Sequence, residues 1–142
     1  MASPVFIKRK ILFGDCDPEG IVYTPRFSYF AIEAIHDALN VWLKGPGLRT
    51  LMGFNILPPA RAFSVEFLHP VTWDDELTIK VQVAEVGVHS FSFSIEGFLA
   101  QDIPAFTASL THVCISPDTK KVVTVPQNLR ELLQPETPSV IK

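Results

Sequence analysis

Cysteine is scarce in this sequence, and the two copies that it contains lie far apart. Cys16 and Cys114 belong to no Cys-x-x-Cys or Cys/His spacing, which argues against both a disulfide framework and a zinc site. Cys16 also lies between two acidic residues, which raise the pKa of a thiol and make it a poor nucleophile. We therefore expect a protein of the reducing cytoplasm that uses no metal and no redox cofactor.

Long apolar runs and clustered positive charge are also missing. No stretch approaches the roughly 20 apolar residues of a membrane-spanning helix, and the basic N-terminal residues precede no long apolar segment of the kind found in signal peptides. The formal net charge is -3 and no basic stripe is visible, so the electrostatic footprint of a nucleic-acid-binding protein is absent. We expect a soluble chain that binds neither membranes nor nucleic acid.

Apolar residues, by contrast, are abundant. They make up 47% of the 142 residues, and 11 of them are phenylalanine. A chain of this length is usual for one domain, so we predict a single domain over residues 1–142 with a mobile tail after about residue 134. The phenylalanines exceed what one small core usually needs, and some are expected to line a pocket or a subunit interface.

Hydrophobic periodicity predicts one long helix near the start and about five strands. Apolar residues recur every three or four positions from Phe27 to Trp42, and Gly45-Pro46-Gly47 ends this helix. Strand-like alternation covers residues 5–13, 63–67, 77–83, 90–95 and 107–115, residues 48–61 are predicted to be a loop, residues 122–125 fit either a short strand or a loop, and a short helix is predicted over 126–133. The order predicts an α+β domain whose helix covers an antiparallel sheet.

The turn before the helix is rich in carboxylates. Asp15, Asp17 and Glu19 lie within five positions among glycines and a proline, so the backbone is bent enough to present a carboxylate inward. Such turns are also common surface features without a chemical role. Asp15 is expected to orient the turn by accepting backbone hydrogen bonds.

The predicted start of the helix complements this turn. Thr24 is a good N-cap and Pro25 suits the first helical position. Free backbone N–H groups at a helix N-terminus stabilise developing negative charge. Because Pro25 has no N–H, the amides of Thr24, Arg26 and Phe27 are the candidate donors.

Two runs carry a family resemblance. The residues from Phe13 to Pro25, followed by the aromatic-rich helix, resemble the signature of the 4-hydroxybenzoyl-CoA thioesterase family of hotdog-fold proteins. The run from Phe67 to Leu77 is similar to the same family's strand, turn and start of the next strand. The resemblance covers nearly the whole chain to about Leu133. It implies the hotdog fold, a strongly curved antiparallel sheet of about five strands wrapped around one long central helix.

The resemblance also implies a reaction. The family's catalytic carboxylate falls at Asp17, and its carbonyl-polarising backbone amide falls at the N–H of Thr24. The implied activity is hydrolysis of an acyl thioester of coenzyme A or of an acyl carrier protein, with coenzyme A as part of the substrate and not a cofactor. Asp17 either attacks the carbonyl carbon or activates water, and both alternatives stay open. The alternative from another class is a non-hydrolytic hotdog module that binds acyl thioesters or a protein partner.

Substrate contacts are implied at two places. Tyr23 and Pro25 flank the polarising amide. His89 and Ser90 fall in the hairpin that resembles the family's phosphate-contacting run, although the basic residues found there in the hydroxybenzoyl enzymes are missing. Ile32 stands where those enzymes have an acid for the substrate phenol, so a 4-hydroxybenzoyl substrate is not implied. The family usually pairs its subunits, which predicts a homodimer or a homotetramer.

Overall fold

A computed structural model describes residues 2–135. Five strands form one antiparallel sheet in the order β1-β3-β4-β5-β2, and they are β1 (Val5–Lys10), β2 (Ala60–Phe67), β3 (Glu76–Val86), β4 (Ser90–Leu99) and β5 (Ile103–Val113). The helices are α1 (Arg26–Trp42), α2 (Gly47–Met52) and α3 (Gln127–Leu133). The predicted α+β architecture, with five antiparallel strands and one long helix, is confirmed.

The core lies between α1 and the concave face of the sheet. One face of α1 is buried at every third or fourth position, as the apolar periodicity predicts, through Phe27, Phe30, Ala31, Ala34, Ile35, Ala38, Leu39 and Trp42. Alternate residues of β3 and β4 are buried beneath it. The ring of Trp42 stacks on Phe93 with the centroids 5.9 Å apart. This packing fixes the helix axis, and therefore the position of its N-terminus, relative to the sheet.

The first strand is shorter than the sequence predicts. It ends at Lys10, and a 3-10 turn follows over Phe13–Asp15. The turn rotates the chain away from the strand direction, so Phe13 does not continue the buried side and is 80% exposed, with its ring 5.8 Å from that of Trp73. The prediction that Phe13 lies on the buried side of a strand over residues 5–13 was wrong for this reason.

The segment predicted as a loop after α1 contains the short helix α2. Its six residues are too few to show a helical period against the proline and glycine around them. Gly47 allows the chain to turn back onto α1, because a Cβ atom at this position would lie 2.7 Å from the backbone carbon of Leu39. Residues 122–125 belong to none of the five strands. Val122 makes one isolated bridge with Ile115.

The two ends of the described chain meet. The N–H of Ala2 donates to the carbonyl of Gln134 at 2.8 Å, and Ala2 bridges Pro135. The predicted mobile tail otherwise falls on residues 136–142, outside the described residues. Between residues 2 and 135, no helix is both long and apolar enough to cross a membrane.

Candidate functional site

A buried carboxylate anchors the loop between β1 and α1. Asp15 is 3% exposed, and it accepts hydrogen bonds from Arg9 Nη1 at 2.6 Å, Arg26 Nε at 2.9 Å and the Leu12 N–H at 2.9 Å. Burial alone would raise the pKa of Asp15, but the hydrogen bonds from Arg9 and Leu12 and the arginine charge outweigh it and lower the pKa. Asp15 is thus ionised and orients the turn, as the sequence predicts.

Arg9 explains an exception in the strand pattern. It lies on the otherwise apolar side of β1, where its guanidinium sits over the ring of Phe30 at 4.6 Å and its Nε contacts Glu33 of α1 at 3.2 Å. Sequence reasoning noticed the interruption of the apolar side but did not identify Arg9 as the partner of Asp15. Through Asp15 and Glu33, this one side chain links the loop to both β1 and α1.

Asp17 lies in a tight turn that leaves part of its carboxylate available. Its Oδ1 accepts the Glu19 N–H at 2.9 Å, its own N–H donates to Ile21, and its carbonyl accepts from Gly20. Gly20 has a φ of +87°, which favours glycine. The side chain is half-buried, and no donor among residues 2–135 bonds to Oδ2. One carboxylate oxygen is therefore held in place while the other can contact a substrate or water.

The start of α1 leaves one backbone amide available. The N–H of Arg26 donates to Tyr23 at 2.8 Å, and that of Phe27 donates to Thr24 at 3.3 Å. The Thr24 N–H has no acceptor in the part of the chain that the structure describes. Of the three candidate donors, the Thr24 amide is thus the one available to a ligand.

The predicted cap at this point was wrong. Pro25 is the N-cap residue, the helix begins at Arg26, and no side chain caps it. Pro25 has the helical angles φ -64° and ψ -16°, so the turn from Tyr23 to Arg26 is already closed by backbone hydrogen bonds. The exposed Thr24 hydroxyl makes no capping bond.

Successive residues before α1 line two different grooves. Asp17, Tyr23 and Pro25 line a groove of about 480 Å³. Thr24 lines a neighbouring groove of about 320 Å³ together with Phe27. The predicted catalytic pair is therefore brought to one loop, with Asp17 in the first groove and Thr24 in the second.

His89 and Ser90 lie at the other end of the sheet. The hairpin that carries them joins β3 to β4, where Gly87 donates to Ser90 at 2.7 Å and His89 Nδ1 lies 3.1 Å from a backbone carbonyl. The Asp17 loop instead follows the end of β1 that pairs with Glu76, at the start of β3. Because β3 has 11 residues, it spans about 35 Å. In one chain these two predicted substrate contacts do not reach Asp17.

Neither cysteine has the environment of a nucleophile. Burial and the Asp15 charge raise the pKa of the Cys16 thiol, and burial raises the pKa of the fully buried Cys114 to about 11. Among the described residues, no three His, Cys, Asp or Glu side chains are grouped to hold a metal ion. The reactive groups that the loop offers are therefore a carboxylate and a backbone N–H.

Comparison with known proteins agrees with this arrangement. The sequence profile of the thioesterase-like superfamily matches residues 11–133. A 1,4-dihydroxy-2-naphthoyl-CoA hydrolase of Prochlorococcus marinus (strain MIT 9515) is 25% identical over 137 residues, which cover 93% of this chain and 90% of that protein. A crystal structure of a thioesterase superfamily protein from Jannaschia sp. CCS1 is 28% identical with a TM-score of 0.85, covering 95% of this chain and 94% of that one.

The predicted hotdog fold is confirmed by a second solved structure. The 4-hydroxybenzoyl CoA thioesterase from Pseudomonas sp. strain CBS-3 superimposes with a TM-score of 0.80 at 24% identity, covering 91% of this chain and 98% of that one. At this identity the likeness concerns the fold. Together with the profile match over most of the chain, it shows that the protein belongs to the thioesterase-like superfamily.

Proposed function

We propose that this thioesterase cleaves an acyl-CoA thioester at a site formed by the loop between β1 and α1. Asp17 is the reacting carboxylate, and the Thr24 N–H is the donor that polarises the carbonyl. The observation that carries the proposal is the pair of unused polar groups on one anchored loop. Tyr23 and Pro25, on either side of Thr24, line the Asp17 groove, so we place the thioester carbonyl where this groove borders the one that Thr24 lines. Asp17 Oδ2 and the Thr24 N–H are without partners among residues 2–135, although their neighbours in the loop are hydrogen-bonded. Asp15 and its arginines tie the loop to β1 and α1, which positions its reacting groups.

The chemistry follows from these two groups. The thioester carbonyl oxygen accepts a hydrogen bond from the Thr24 N–H, which stabilises the oxyanion that forms when the carbonyl carbon is attacked. In one route Asp17 attacks that carbon, the C–S bond breaks, and water then hydrolyses the mixed anhydride. In the other route Asp17 takes a proton from water, and the water attacks. Both routes release the free acid and the thiol of coenzyme A.

The assignment of coenzyme A as the carrier is supported by the relatives. The curated protein from Prochlorococcus marinus is a CoA thioester hydrolase by name. Tyr23 is 58% exposed and lines the Asp17 groove with Pro25, so both residues are in position to contact a thioester bound in that groove. His89 and Ser90 would meet this substrate only in an assembly where a second copy brings its hairpin to the groove.

An unpaired sheet edge supports such an assembly. The strand β2 is the last in the sheet, and Phe63, Phe67 and Leu68 on or next to it are exposed. Natural proteins rarely leave an apolar strand edge open to water. Two copies related by a twofold axis could pair their β2 strands antiparallel. We propose a homodimer built this way, or a homotetramer made of two such dimers.

Steady-state turnover of a thioester panel tests this function. The panel contains acyl-CoA thioesters, the matching acyl-carrier-protein thioesters and the matching oxygen esters. We expect catalytic release of the free thiol from acyl-CoA thioesters. Preferred turnover of the carrier-protein thioesters would change the assigned carrier. Binding without turnover of any thioester would contradict the proposed hydrolysis and support a module that only binds.

A further inference from the structure

The route in which Asp17 attacks the carbonyl carbon needs a second base. Once the mixed anhydride has formed, the Asp17 carboxylate is part of it and can no longer take a proton from water. Burial would raise the pKa of Asp15, but its hydrogen bonds with Arg9 and Leu12 lower it, which makes Asp15 a weak base. Burial raises the pKa of the Cys16 thiol, and the other titratable side chains of the Asp17 groove, an arginine and two tyrosines, carry protons of their own. Of the described residues that line this groove, none is suited to activate water.

The neighbouring groove, which Thr24 lines, does contain a base. In the described part of the chain, its one titratable side chain is that of His69, and the rest of the lining consists of Thr24 and apolar residues. Its volume of about 320 Å³ leaves room for water beside a bound carbonyl. The side chain of this groove that can take a proton from water is therefore His69.

Backbone pairing brings His69 next to Thr24. The N–H of Val22 donates to the carbonyl of Val71 at 2.8 Å, in register with an antiparallel bridge one residue earlier. In an antiparallel pair, a step forward on one segment corresponds to a step back on the other. Two further steps in this register place Thr24 opposite His69, which agrees with the presence of both residues in one groove.

The histidine ring is held in one tautomer by its neighbour in the chain. Its Nδ1 lies 2.7 Å from the carbonyl oxygen of Pro70. A carbonyl oxygen only accepts hydrogen bonds, so Nδ1 carries the proton, and Nε2 of the neutral ring is an acceptor. Within residues 2–135, Nε2 has no hydrogen-bond partner. A histidine base has this arrangement, in which an acceptor fixes the Nδ1–H while Nε2 takes the proton.

We propose that His69 is the base that activates water for hydrolysis of the mixed anhydride formed on Asp17. The inference rests on the proposed function, in the route where Asp17 is the nucleophile. It adds a third catalytic group to Asp17 and the Thr24 N–H, supplied by the connection between β2 and β3.

The two grooves then serve successive steps of the reaction. Asp17 Oδ2 attacks the thioester carbonyl carbon, the C–S bond breaks, and the thiolate of coenzyme A takes a proton from solvent. Water in the Thr24 groove attacks the same carbon while His69 Nε2 takes one of its protons. The C–O bond to Asp17 breaks, which restores the Asp17 carboxylate and releases the free acid. Because His69 is exposed, its ring returns the proton to solvent.

Rapid-quench kinetics of His69→Ala test this role. The variant keeps the groups that break the C–S bond, so the best acyl-CoA thioester should give a burst of about one thiol per site at the parent rate. Formation of free acid should slow by at least about a hundredfold, the scale expected when a general base is removed. Hydroxylamine added during the slow phase should trap the acyl group as a hydroxamate. Equal slowing of thiol release and acid formation, without a burst, would overturn the proposal.

Added imidazole distinguishes a missing base from a distorted site. Imidazole should restore part of the acid formation by His69→Ala, because it supplies the base that the variant lacks. Asp74→Asn is the matched control, since Asp74 is exposed in the same connection between β2 and β3 and lines neither groove. This control should show the parent's kinetics. Failure of imidazole to raise acid formation by a folded His69→Ala would contradict the proposal.

The outcomes separate this inference from the proposed hydrolysis. A parent protein that releases thiol from no thioester would refute both. A parent that turns over, with a folded His69→Ala that forms free acid at the parent rate, would refute the role of His69 alone and favour Asp17 as the base towards water. His69→Gln is closer in size to the parent side chain and cannot take the proton, so as a second variant it should give the same burst.

Discussion

Replacing Asp15 by Asn tests whether its buried carboxylate holds the loop together. The substitution keeps the shape of the side chain and removes its charge, so it leaves Arg26 without an anionic partner among the described residues and leaves Arg9 with Glu33 alone. Removing one member of a buried ion pair costs about 3 to 5 kcal/mol. Because the Arg9 and Arg26 side chains are 22% and 35% exposed, water can solvate them in part, and we expect the lower end, about 3 kcal/mol of unfolding free energy.

Urea unfolding followed by circular dichroism measures this change. For a chain of this length, about 3 kcal/mol corresponds to a fall in Tm of roughly 6 to 12 °C. Asp37→Asn is the matched control, because Asp37 is exposed on α1, and it should change stability by less than about 0.5 kcal/mol. An Asp15→Asn protein as stable as the control would refute the reasoning that Asp15 anchors the loop.

Three further predictions concern pH, the Thr24 amide and assembly. Folding lowers the pKa of Asp15, so its contribution to stability is present above its ordinary pKa of about 3.9 and is lost as pH falls through the folded value. The difference in stability between the parent and Asp15→Asn should therefore shrink in acid. A constant difference down to pH 2 would be evidence against the ion pair. Thr24→Ala keeps the amide and loses no capping bond, so its stability and kcat should match the parent's. Thr24→Pro removes the N–H and should lower kcat by about 10² to 10³, provided that circular dichroism and analogue binding show the fold intact. Equal kcat values for Thr24→Pro and Thr24→Ala would remove the amide from the mechanism. Light scattering at micromolar concentration should give the mass of a dimer or a tetramer, and a monomer mass would contradict the assembly through β2.

The sheet and the long helix could be predicted because their signals are local. The alternation in β3 and β4 and the three-to-four spacing in α1 each follow from which side of one element is buried. The errors occurred where an element ends. Phe13 looked like the next buried position of β1, but the 3-10 turn removes it from the strand. The short helix α2 was missed because six residues carry too little periodicity.

The site was predictable to the level of the loop but not of its contacts. The family resemblance implied Asp17 and Thr24 as the catalytic residues, and both lie on the loop that Asp15 anchors. That Asp15 is paired with Arg9 across the start of the loop, or that the Arg26 N–H is already used by Tyr23, depends on backbone directions that no local pattern encodes.

The most direct test of the central claim is the kcat of Asp17→Asn on the best acyl-CoA ester, compared with Glu19→Gln. Both residues belong to the same turn, but Glu19 is exposed and only its backbone N–H contacts Asp17. We predict that Asp17→Asn binds a non-hydrolysable thioester analogue yet loses at least about a hundredfold in kcat, while Glu19→Gln stays close to the parent. An intact Asp17→Asn protein that turns over at near the parent rate would contradict the account.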